Sequence, residues 1–197
     1  MKATGAGPRH RRTGSRRDPA IDDAVLAATR SLLAQRGYAA TSIEAIATTA
    51  GVSRPALYRR WQSKAHLVHA AMFPDLGADS PHDDFTDEIA RLCRGALRMY
   101  SHPVVREAIP GLLHDVQADR PMRRMLNDRL EAAARNQLVD RVDAAVADGV
   151  ARPTARADTI MDVIAGAAWY AVCVRQVRDL DAAAAELTEL VLRGVLA

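Results

Sequence analysis

What most constrains this chain is the return of apolar residues at three- and four-residue intervals through almost every stretch after residue 18, with no sustained two-residue alternation. A period near 3.6 collects those residues on one face of a helix, whereas a half-buried strand needs a period of two. The sequence therefore predicts an all-α protein. The scarcity of aromatics agrees: they supply 8 of 197 residues, so the core must be packed with Leu, Val, Ile and a large stock of Ala, which suits closely approaching helices. Asp148-Gly149 resembles a hairpin turn, but the preceding series Leu126, Leu130, Ala134, Leu138, Val142, Ala145 is helical and makes Gly149 a C-terminal cap.

Local start and stop signals divide the chain. Asp18 as N-cap, Pro19 at the first helical position and Asp22 and Asp23 in the first turn announce a helix that Gly37 stops. Its buried face is Ile21, Val25, Ala28, Leu32 and Leu33. Thr41 and Glu44 read as a T-x-x-E capping box opening a short helix through Ala50, which Gly51 breaks. Ser53 caps a third helix with Pro55 in its first turn, and Ser63 a fourth that runs to Met72. A Pro/Gly/Asp-rich connector, Pro74 to Pro81, follows. Beyond it the expected helices are Phe85 to Met99, Val104 to Ala118 with a kink or break at Pro110-Gly111, a long one from Pro121 to about Asp148, and two final ones near 157–177 and 181–195.

The charge is unevenly placed. Up to Lys64 the chain has 12 Lys/Arg against 4 Asp/Glu, and after it 15 against 20, giving +8 and −5. Such a split is the footprint of a nucleic-acid or anionic-surface contact at the N-terminal end. Six of the positive charges (Lys2, Arg9, Arg11, Arg12, Arg16, Arg17) fall within residues 1–17, which also reads as a disordered basic arm. That segment lacks the apolar run of a secretory signal. The longest uncharged apolar run, Val163 to Val174, has 12 residues where a spanning helix needs about 20, so no membrane segment is expected. Cys93 and Cys173 lie 80 positions apart in no metal-binding or redox spacing, which suits a reducing, cytoplasmic setting.

Residues 41–60 hold a short helix, a turn at Gly51 and a second short helix, the layout of a helix-turn-helix unit whose second helix enters the DNA major groove. Ile43, Ile46, Ala47, Ala50, Val52, Leu57 and Trp61 form its expected core, with Arg54, Pro55, Tyr58 and Arg59 left outside. A generic helical hairpin has the same spacing, but not the adjoining charge. From Ile21 to Met72 the motifs Gly37-Tyr38, Thr41-Ser42, Ile46-Ala47, Ala50-Gly51-Val52-Ser53, Leu57-Tyr58, Trp61 and Lys64 occur in order and without a gap, and on them the chain resembles the TetR (tetracycline repressor) family. Gln62 and Arg60 depart from the family's usual residues without damaging the motif.

The resemblance implies an N-terminal three-helix DNA-binding domain at 18–64, after the arm at 1–17, and a helical ligand-binding and dimerisation domain at 65–197. It implies that Thr41, Tyr58 and Lys64 hold phosphates while Arg54 and Pro55 face base edges; Ser42, Arg59 and Arg60 are secondary candidates. The chemistry is sound: a hydroxyl or ammonium binds phosphate, Arg grips guanine O6 and N7 bidentately, and Pro offers an apolar face to a thymine methyl. One recognition helix reads few base pairs, so a homodimer on a palindromic double-stranded operator is expected.

For the dimer interface the sequence offers Ala165, Gly166, Ala167 and Ala168 on one turn and Leu187, Leu190, Val191 and Gly194 on the last helix, the alternative being that the stripe is buried within one chain. The family's apolar effector pocket maps to Met99, Tyr100, Leu113, His114, Met125, Trp169, Tyr170 and Cys173, fitting a hydrophobic or amphipathic small molecule. The expected function is ligand-released repression, without enzymatic activity, cofactor, metal or membrane partner. The alternative is a nonspecific nucleic-acid or anionic-surface binder. Two other constellations are set aside: His114 with Asp115, or Cys173 with a distant His, as nucleophile and base, and His66 with His69 as a metal pair rather than a surface pair.

Overall fold

The computed structural model describes residues 18–73, 84–126, 128 and 132–197. The basic arm at 1–17, the connector at 74–81 and Leu130 lie outside them. The described residues form helices α1 (Pro19–Ala40), α2 (Ile43–Thr49), α3 (Arg54–Tyr58), α4 (Lys64–Met72), α5 (Phe85–Ser101), α6 (Pro103–Ala118), α7 (Arg120–Met125), α8 (Ala132–Ala147), α9 (Ala157–Trp169) and α10 (Leu180–Val195). The fold is all-α, and the one β-type pairing among these residues is an isolated bridge between Ala151 and Leu196.

Helix α1 starts where Asp18 accepts the Ala20 N–H at 3.0 Å, and Gly37 turns the chain at φ 69°, a left-handed conformation open to glycine at little cost. The capping box at Thr41 is not formed. Ser42 is the N-cap of α2 and accepts from Ala45 N–H, while Thr41 turns inward, 1% exposed, and donates to the Gly37 carbonyl at 2.7 Å. Ser53 and Ser63 cap α3 and α4 as expected.

Helix α6 runs unbroken through Pro110. The proline is exposed, and the face carrying Val105, Ala108, Ile109, Leu112 and Val116 packs on Leu33 and Tyr38 of α1 and Val68 and Met72 of α4. That packing outweighs one missing backbone bond. The expected long helix from Pro121 is described as two segments, α7 and α8. Gly149, at φ 73°, ends α8 with Val150 N–H on the Ala145 carbonyl, a C-cap as predicted.

Two further cores lie in the C-terminal region. Ile89 and Cys93 of α5 meet Leu138 and Val142 of α8, Ile160 and Ile164 of α9 and Leu187 and Val191 of α10. Leu97, Ala168, Val172 and Ala184 form the other. The helix expected over 157–177 stays α-helical to Trp169 and then widens into a π turn at Tyr170–Val174. Together, Ala157–Val174 spans 18 residues at mean hydropathy 1.4 because Asp158 and Asp162 interrupt little of it, and 28% of it is buried in the chain. By length and composition it reaches the lower bound of a membrane span, yet Ala157, Ile160, Ile164 and Ala168 are packed in the core and Asp158 pairs with Arg135 at 2.6 Å.

Candidate nucleic-acid interface

The geometry of α2 and α3 follows from their shared core. Ile46, Ala47, Leu57 and Trp61 are buried with Val25 and Leu32 of α1 and Leu67 of α4, and Ile43, Ala50 and Val52 pack partly against them. The turn is closed by Val52 N–H on the Ala47 carbonyl (3.0 Å) and Gly51 N–H on Thr48 (3.2 Å), with Gly51 at φ 66°. Any residue with a side chain is strained there. Burying Leu57 fixes the roll of α3, so Arg54, Pro55, Tyr58 and Arg59 face solvent, Tyr58 with 48% exposure. Ser42 is exposed at the start of α2. All five side chains are thus exposed on the small domain.

The remaining candidates are placed differently. The Thr41 hydroxyl is buried and committed to Gly37, so its work is to hold the turn between α1 and α2. Arg60 is tied back: its Nε donates to Asp22 of α1 at 2.5 Å and Nη1 to the Ala56 carbonyl at 3.3 Å. Lys64 is half-buried; its Nζ donates to the Tyr38 carbonyl at 2.6 Å and lies 3.9 Å from the centroid of the Tyr38 ring. Desolvation lowers the Lys64 pKa and the Asp115 charge opposes that shift. An ammonium has three donors, so the bond to the Tyr38 carbonyl uses one of three.

Tyr38, absent from the sequence candidates except as part of a motif, is the centre of this contact. Its O–H donates to Asp115 of α6 at 2.5 Å, and burial, reinforced by that bond, pushes the phenol far up and keeps it a neutral donor. Asp115 is thereby engaged away from His114, which is exposed, so the two do not form a nucleophile-activating pair. His69 is no surface residue: it is 4% exposed, edge-on to Phe73, and burial takes its pKa down to about 4. His66 accepts the Gln62 N–H instead.

Of the effector-pocket candidates, Tyr100, Met125 and Trp169 gather against the core beneath α1, α4 and α6, and Cys173 lies against the Leu97 core. Met99 is half-buried, while Leu113, His114 and Tyr170 are exposed and cannot line an enclosed space within one protomer. Among the proposed interface residues, Ala168, Leu187 and Val191 are buried inside the chain, which removes them from any intermolecular surface. Gly166, Leu190 and Gly194 are exposed and Ala165 is half-buried.

A compact three-helix unit presenting a short cationic helix, on a larger helical body, defines a helix-turn-helix transcriptional regulator. Residues 25–71 match the model for bacterial regulatory proteins of the tetR family, and residues 79–191 match the tetracyclin repressor-like C-terminal domain. The chain belongs to the TetR family. It is 23% identical over 186 residues to the HTH-type transcriptional regulator YdeS of Bacillus subtilis, covering 93% of this chain and 94% of that one. An HTH-type regulator of Mycobacterium bovis is 47% identical over 47 residues, 24% of this chain and 23% of the relative, so that likeness spans under a quarter of the relative's length. Among solved structures, NalD, the secondary repressor of the MexAB-OprM multidrug efflux pump in Pseudomonas aeruginosa, superposes with TM-score 0.60 at 22% identity, over 90% of this chain and 96% of its own.

Proposed function

We propose that this regulator is a homodimeric repressor that holds a palindromic operator through Arg54 and Pro55 at base edges and Ser42, Tyr58, Arg59 and Lys64 at phosphates, and that a small hydrophobic or amphipathic effector releases it. The observation that carries the reading is the outward set on α3: the five-residue helix exposes Arg54, Pro55 and Tyr58 around one buried leucine, and its C-cap Arg59 is exposed beside them. NalD, a structural neighbour, is itself a repressor, which supports the sign of regulation.

The dimer is supported by an uncovered apolar stripe. Val163 (42% exposed), Gly166, Ala167, Tyr170 (52%) and Val174 (50%) follow one another on the outer side of α9 and the π turn, with Leu190 (66%) and Gly194 outward on α10. Small residues in that stripe permit close helix approach. The effector is supported by two buried polar atoms without partners: His69 Nδ1, whose ring is edge-on to Phe73, and Trp169 Nε1, whose side chain packs on the same core as Phe73, Tyr100 and Met125. Buried polar groups require a partner, and a ligand of mixed character supplies one.

Footprinting on the DNA upstream of the gene, with parent and Arg54→Ala protein, tests the reading. A protected twofold-symmetric site whose preference relaxes at one position per half-site in the variant is the expected result. Binding that ignores sequence in both proteins would leave only a nonspecific nucleic-acid binder.

A further inference from the structure

Three links join helix α6 to the cation at the start of α4. Asp115 accepts the Tyr38 O–H at 2.5 Å across 77 residues of sequence. The Tyr38 ring lies under Lys64 Nζ, 3.9 Å from its centroid, and the Tyr38 carbonyl takes a bond from the same ammonium at 2.6 Å. Behind the ring is Gly111, where a Cβ would stand 2.3 Å from Tyr38 Cδ1. The left-handed turn at Gly37 carries Tyr38 off the course of α1. Each link holds the next: the carboxylate and Gly111 fix the ring, and ring and carbonyl fix a side chain that otherwise has four rotatable bonds to order on binding.

We infer that Asp115 and Tyr38 are positioning residues for DNA binding: they hold the Lys64 ammonium in place for a phosphate, so that a residue of the C-terminal domain sets the strength of a contact made by the N-terminal one. The inference rests on the proposed phosphate role of Lys64. Its own content is that neither Asp115 nor Tyr38 touches DNA, and that a displacement of α6 is felt at Lys64.

The test uses the full chain and a duplex selected from a random library, with affinity read by anisotropy over a range of salt concentrations. Lys64→Gln is expected to lower the slope of log K against log salt by about 1 per protomer. Asp115→Asn and Tyr38→Phe should weaken binding about three- to tenfold and lower the slope in the same direction, and the Asp115→Asn/Lys64→Gln double variant should bind no worse than Lys64→Gln, as coupled residues do. Tyr38→Phe removes one oxygen and keeps the ring against Gly111, so it reports even where Asp115→Asn fails to fold. A parental slope in Lys64→Gln overturns the phosphate role and the relay with it. A lowered slope there, with parental affinity and slope in Tyr38→Phe or additive losses in the double variant, overturns the relay alone.

Discussion

The ring of Tyr38 lies so close to the backbone of Gly111 that a Cβ at residue 111 would stand 2.3 Å from Cδ1 and 2.7 Å from Cγ. Tyr38 is 7% exposed and held at its hydroxyl by Asp115, so the ring cannot swing away as a free side-chain end would. Alanine in mid-helix gains about 1 kcal/mol over glycine in propensity. Overpacking against a pinned ring costs about 1–3 kcal/mol. Gly111→Ala is therefore expected to lower the denaturation midpoint, and to become neutral or stabilising in a Tyr38→Ala background. A raised midpoint in the parent background would contradict the close packing.

Arg60 gives a second prediction because its charge is turned inward. With side-chain exposures of 13% and 17%, the Arg60–Asp22 pair is shielded from solvent and ties the end of α3 to α1. Arg60→Ala should cost about 2 kcal/mol, between the values for exposed and buried pairs. Arg60→Lys should recover less than half, since it cannot serve Asp22 and the Ala56 carbonyl in the same fork geometry. Urea unfolding measures both. The salt slope of operator binding should stay parental in Arg60→Ala, and a lowered slope would return Arg60 to the phosphate contacts.

The contrast between these residues shows how far the sequence could be read. Helix starts, the Gly51 turn and the buried side of α3 depend on neighbours a few positions away, and they were legible. Thr41 and Ser42 are adjacent hydroxyls, either of which satisfies a capping pattern. Their roles divide only once Gly37 has turned the chain and sent Thr41 inward. On α10 the apolar stripe is wide enough that spacing cannot say which edge faces in. Leu187 and Val191 do, while Leu190, rotated by about a sixth of a turn from Leu187, faces out. The Tyr38–Asp115 bond joins residues 77 apart and leaves no local trace at all.

His69 predicts a pH dependence. Burial, with a smaller effect from the nearby His66 charge, takes its folded-state pKa from 6.5 to about 4, so the folded chain keeps it neutral where the unfolded chain would protonate it. Between those values the unfolded state binds more protons, and stability falls as pH falls. His69 should contribute a loss approaching 1.4 kcal/mol per unit and roughly 3 kcal/mol across the window. It is absent above pH 6.5 and complete below about pH 4. Unfolding free energies of the parent and His69→Phe measured from pH 7 to 4 isolate this share. Parallel curves would mean that His69 is protonated in the folded protein.

The last prediction separates the two sides of α10. Leu190 is 66% exposed and Val163 on α9 is 42% exposed, so a charge at either position meets solvent in the single chain and needs no burial. Leu187 is 7% exposed within the core that includes Ile89, Cys93 and Val142, where a carboxylate would have no partner. If the outer stripe is the dimer surface, Leu190→Asp and Val163→Asp should give folded monomers with parental helicity, seen as a halved mass in sedimentation equilibrium. Operator affinity should then collapse, because two half-sites are no longer bound as one unit. Leu187→Asp should instead lose helicity along with mass. Folded dimers of parental mass in both outer variants would move the interface off α9 and α10, since a C2 interface repeats each new carboxylate on both partners and like charges brought together there repel.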